Sequence, residues 1–172
     1  GVTVSLAADV CSPSVLDLDV AFLQGDGVLA TDAEAPFGID VAGVMPGCYS
    51  LGVRATDADG WTTSVDNTDF FVGPEVNASN CPQASYLMAP HPVPGKIEAE
   101  YYDLGGSGVS YIDLDPTNTS STFRPSDGVD IESASDEGKG HNITNVAARE
   151  WVEYTVFVEE AGPYVMKARV AT

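Results

Sequence analysis

The sequence predicts an all-β chain of two sandwich modules, and three observations predict it. Apolar residues alternate with polar ones over short runs, as in Val2-Thr3-Val4-Ser5-Leu6 and Leu16-Asp17-Leu18-Asp19-Val20. Turn residues interrupt these runs at short intervals, as in Gln24-Gly25-Asp26-Gly27, Ala35-Pro36, Met45-Pro46-Gly47 and Asp57-Ala58-Asp59-Gly60. Apolar spacings of three and four, the mark of an amphipathic helix, are almost absent.

The first module is expected over residues 1–73, with strands near 2–8, 15–23, 27–31, 37–42, 48–56 and 61–72. The Asp57-x-Asp59-Gly60 run reads as a hairpin turn. A calcium loop would need oxygen ligands at further alternate positions and a closing Glu, which Trp61-Thr62-Thr63 does not supply. From 74 to 95 the alternation stops and Pro74, Pro82, Pro90, Pro92 and Pro94 cluster, which predicts a semi-rigid linker. Residues 96–172 resume the strand pattern at Lys96–Tyr101, Gly128–Ser133, Trp151–Glu159 and Tyr164–Ala171. The loop 103–127 between the first two is long and rich in Gly, Ser and Asp, and is expected to be ordered by packing or metal.

Seven basic and 26 acidic residues give a formal charge of −19. Nucleic acid is thereby excluded as a partner, because its phosphates are bound through Lys and Arg. No apolar run is long enough for a membrane span. Starting at Gly1 without Met, the chain reads as a mature or excised piece. Three cysteines occur, and Cys11 and Cys48 near two strand starts predict a disulfide, leaving Cys81 free or paired with another chain. Without a Cys-x-x-Cys pair, and with only two histidines, a zinc site has no support. Sequons at Asn77, Asn118 and Asn142 fit an exported protein.

Two resemblances sharpen this reading. Ala21-Phe22-Leu23-Gln24-Gly25-Asp26-Gly27, Ala35-Pro36-Phe37, Pro46-Gly47-Cys48-Tyr49 and Arg54-Ala55-Thr56-Asp57 resemble the bacterial immunoglobulin-like modules of secreted carbohydrate-active enzymes and adhesins. Such modules usually act as spacers. Further on, Pro94-Gly95-Lys96-Ile97-Glu98-Ala99-Glu100-Tyr101-Tyr102-Asp103, Phe123-Arg124-Pro125-Ser126-Asp127-Gly128-Val129-Asp130-Ile131-Glu132 and Glu150-Trp151-Val152-Glu153-Tyr154 resemble family 6 carbohydrate-binding modules. That resemblance implies a β-jelly roll that binds polysaccharides such as xylan, β-glucans or agar, commonly with a structural calcium. It stops short of a full module at Thr172, before the strands that would hold a second stacking aromatic. Arg149 stands where the family usually has Gly.

By that resemblance Phe123, standing where the family usually has Tyr, is the stacking ring for a sugar, with Arg124, Asp127 and Asp130 as polar neighbours; for Asp130 the alternative is that it closes a turn. On an extended strand Glu98 and Glu100 would share a face, and so could meet one calcium ion; two solvated glutamates are the alternative. Trp151, in an alternating strand, is expected in the core. No Gly-x-Ser-x-Gly elbow, phosphate loop, His-Glu-x-x-His or marked pair of carboxylates points to catalysis. The function expected is thus a non-catalytic, polysaccharide-binding accessory region, itself no enzyme, of an extracellular or cell-surface protein such as a glycoside hydrolase. The alternative is a structural subunit of an extracellular filament or surface layer, whose incomplete jelly roll is completed by a strand from a neighbouring copy.

Overall fold

A computed structural model describes residues 1–10, 17–74, 76–77, 80–115, 117–119, 123–135 and 140–170, and at 66 and 67 the backbone alone. The chain is all-β, and the one helical piece among the described residues is a short 3-10 turn, Ala99–Tyr101.

Six strands build the first module: β1 (Val2–Ala7), β2 (Leu18–Gln24), β3 (Gly27–Asp32), β4 (Gly38–Val44), β5 (Gly47–Asp57) and β6 (Thr62–Val72). They form an antiparallel β1–β4 pair and a four-stranded antiparallel sheet in the order β3-β2-β5-β6. The period-two pattern explains the packing between them. Leu18, Val20 and Phe22 of β2 point inward with Phe37 and Ala55, and Leu6 and Ile39 of the opposing pair close over them. The β5–β6 hairpin turns at Asp57, whose Oδ1 accepts from the amides of Asp59 and Trp61, while Gly60 takes a φ of +85°. The predicted turn is the observed one.

The other end of this sandwich is closed by residues outside it. Val44 and Tyr49 pack with Ala84 and Met88, both fully buried, and with Leu104. The stretch expected as a linker is therefore partly core: Ser85 and Tyr86 are also buried, and Ala84 pairs with Leu104 through two backbone hydrogen bonds. Apolar Tyr86-Leu87-Met88 has no reason to stay in water when an uncovered sandwich end lies beside it. A disulfide between Cys48, at the start of β5, and Cys81 ties the same stretch down, with the Cα atoms 5.5 Å apart. This corrects the predicted Cys11–Cys48 pairing: Cys48 is bound to Cys81, and Cys11 lies outside the described residues.

Beyond it come β7 (His91–Val93), β8 (Tyr111–Ile112), β9 (Ile131–Ser133), β10 (His141–Ile143), β11 (Trp151–Val152) and β12 (Val156–Val158). They pair two by two: β9 with β10 and β8 with β11 antiparallel, β7 with β12 parallel. Lys96–Tyr101 is not the strand expected: Glu98 is extended, and the 3-10 turn follows it. The expected 151–159 strand is split, since Glu153, Tyr154 and Thr155 are turned to bond Ser110, Ala99 and Asp103. No strand occurs among the described residues 159–170, where Tyr164, Val165, Met166 and Val170 are exposed.

Candidate functional site

The second core gathers Tyr86, Tyr102, Tyr111, Phe123, Val129 and Ile131, and a buried arginine organises the loop that crosses it. Arg124 is only 7% exposed. Its guanidinium lies 3.5 Å from the centre of the Tyr102 ring and 4.6 Å from that of Tyr86. It donates to the carbonyls of Tyr102 and Asp103, the latter at 3.0 Å, and its Nε meets Asp127 Oδ2 at 2.8 Å. Tyr102 donates its hydroxyl to the same carboxylate oxygen. A buried cation with this many acceptors is a scaffold for the backbone around it. Buried and already engaged by these acceptors, it is poorly placed to meet a ligand.

Asp130 is likewise structural. Its Oδ1 accepts from the amide and hydroxyl of Thr119 at 2.7 and 2.9 Å, and its Oδ2 from Asn145 at 3.0 Å. Those donors, the Thr119 amide first, hold its carboxyl below the ordinary aspartate value. Asn118 is used in the same way: its side-chain nitrogen donates to the carbonyls of Phe123 and Arg124. A glycan on that nitrogen is at odds with this arrangement.

Phe123 corrects the picture of an open stacking platform. Its ring is 4% exposed and packs against Tyr101 at 6.0 Å, Tyr86 at 5.8 Å and His141 at 4.7 Å. Asp127 is half-buried, and Pro125 and Ser126 at the loop tip are exposed. The structure thus brings Phe123, Arg124, Asp127 and Asp130 into one loop. It buries the ring, the arginine and Asp130, and presents the tip. Trp151, expected in the core, is 39% exposed on β11.

Glu98 and Glu100 do not share a strand face. Successive residues of a 3-10 turn are about 120° apart, so positions two apart diverge. Glu98 pairs with Lys96. Glu100 is 4% exposed, and its Oε2 is a buried oxygen with no hydrogen-bond partner. Burial, the largest cause, raises its carboxyl pKa above the ordinary value, and the negative Glu98 adds to the rise. An orphaned buried carboxylate oxygen fits a hard cation. It would have to be completed by backbone oxygens or water, since no cluster of three or more His, Cys, Asp or Glu occurs among the described residues.

Sequence reasoning missed two groups that shape the site. Asp103 is fully buried and accepts from Gln83 and from both the amide and the hydroxyl of Thr155. Tyr86 lies under the loop from within the expected linker. The apolar triplet Tyr86-Leu87-Met88 among prolines was the available signal for the second; a buried aspartate leaves none in the pattern of hydrophobicity.

Residues 119–172 match the model of a family described as carbohydrate binding module (family 6), which spans the loop, Asp130 and Trp151. The chain is also similar to the solved fibronectin(III)-like modules of Clostridium thermocellum CbhA, at 27% identity, over 41% of this chain and 77% of that one, with a TM-score of 0.39. No curated protein matches it. Among the described residues no helix is long and apolar enough to cross a membrane.

Proposed function

We propose that the chain is a non-catalytic polysaccharide-binding accessory region of a secreted carbohydrate-active enzyme or surface protein. The match of residues 119–172 to a family of carbohydrate-binding modules carries this reading. In it, residues 1–73 form an immunoglobulin-like module, 96–172 the sugar-binding part, and 74–95 join them. The rigid Phe123–Asp130 loop forms the sugar-facing end, with Asp127 and the exposed tip as its polar contacts and the Phe123 ring behind them. Calcium at Glu100, with Glu98 nearby, would give the buried Oε2, which has no hydrogen-bond partner, the positive charge it lacks.

The test is electrophoresis through gels containing soluble xylan, mixed-linkage β-glucan or agarose, with calcium and with EDTA. Retardation by at least one polymer is expected, weakened by Phe123→Ala. Unretarded migration in every gel overturns the reading. Retardation lost in Trp151→Ala but kept in Phe123→Ala moves the site to the β8–β11 face.

One observation favours the second reading, a filament subunit completed by a neighbour's strand. Among the described residues β12 is paired along one edge only, with β7, and Val156, Phe157 and Val158 are all exposed. Light scattering on the same samples separates the two: a monomer excludes strand exchange as an obligatory step.

A further inference from the structure

The first module reaches into the candidate sugar-facing loop. The turn between β2 and β3 gives the amides of Asp26 and Gly27 to the Tyr86 hydroxyl, each at 3.1 Å. From that turn the Asp26 carboxylate accepts the backbone amide of Arg124 at 3.0 Å. Tyr86 in turn packs its ring on Tyr101, Phe123 and the Arg124 guanidinium. Module, connecting stretch and loop are thus joined through one tyrosine and one aspartate.

The turn is shaped for this contact. Gly25 takes a φ of +53°, and a Cβ there would lie 3.0 Å from the Tyr86 hydroxyl. Gly27 lies outside the left-handed region, so the backbone alone would accept alanine. What forbids it is the neighbour: a Cβ at Gly27 would sit 2.7 Å from Tyr86 Cε1. Glycine at 27 is therefore explained by the approach of Tyr86, not by the turn.

We propose that this junction is a clamp through which the first module sets the conformation of the Phe123–Asp127 loop, with Asp26 and Tyr86 as positioning residues. The first module is then part of the binding apparatus, not a spacer. The clamp stands on geometry alone; its importance for sugar rests on the function proposed above.

The test is residue-resolved amide hydrogen exchange on the full chain. Its decisive probes are the amides of Asp127 and Gly128, which bond within the second module to the Arg124 carbonyl and the Tyr111 hydroxyl and do not touch Asp26. Asp26→Ala is expected to speed both about tenfold, the loss of one hydrogen bond to a charged group, while the β5–β6 ladder keeps its rates. Asp26→Asn, which retains an acceptor, restores them. Tyr86→Phe, which keeps the ring, loosens Asp26 and Gly27 as well as the loop. Acceleration confined to residues 25–27 overturns the clamp, even if the chain is retarded by a polysaccharide. Conversely, a chain retarded by none removes the sugar reading and leaves the exchange result to decide the clamp.

Discussion

The two halves of this chain are held together by different means. In the first, strands of six to eleven residues pair along backbone ladders, and the side chains mainly fill the space between sheets. In the second, strands are two or three residues long. The order there comes from side chains that bond to backbone: Arg124 to three carbonyls, Asp103 and Asp130 to amides. A ladder shares its load over many equivalent bonds. A hub concentrates it, because a lost side chain leaves several buried groups unsatisfied at once.

That contrast is sharpest when one substitution is made in both halves. Arg124→Met should cost about 3–5 kcal/mol, since it leaves several buried carbonyls without a donor and takes the cation from a half-buried carboxylate. Arg54→Met, on the exposed face of β5, should change stability by less than about 0.5 kcal/mol. Urea unfolding measures both, and equal costs would break the comparison.

A smaller effect is expected at Asp130, with a defined pH dependence. Its folded pKa lies below the ordinary 3.8. Its contribution is therefore full above that value and is lost as pH falls through 3.8 and then through the lowered folded pKa. Asp130→Asn should cost about 1–2 kcal/mol at neutral pH, and the gap to the unaltered chain should close in acid. A gap of the same size at pH 7 and at about pH 2 would show that the carboxylate charge is not what holds Thr119 and Asn145.

The same contrast explains what could be read from the sequence. All six strands of the first module follow from alternation and turns because a ladder writes period two into the chain. Lys96–Tyr101 carries an equally strand-like pattern, yet its last three residues, Ala99–Tyr101, form a 3-10 turn, and Glu100 and Tyr102 are buried. There the decisive partners, Arg124 and His141, lie far along the chain. The expected Cys11–Cys48 pairing fails for a related reason. The true partner of Cys48 sits in a stretch whose prolines suggested solvent, whereas Met88 and Ala84 anchor it in the core beside β5. The resemblance points to Phe123, Arg124, Asp127 and Asp130 together, and they do lie in one loop, but nothing in its motifs shows that Tyr86 and Tyr101 pack on the ring. Arg149 is more legible in hindsight: at a φ of +88° it occupies backbone that glycine adopts freely, which accounts for the glycine expected there.

Common to both halves is the stretch that closes the first core with Ala84 and Met88 and the second with Tyr86. If it belongs to both, neither half should unfold without the other. Differential scanning calorimetry of the disulfide-intact chain tests this most directly. A single transition, with calorimetric and van't Hoff enthalpies equal, is the predicted result. Two resolved transitions, one for each half, would contradict it.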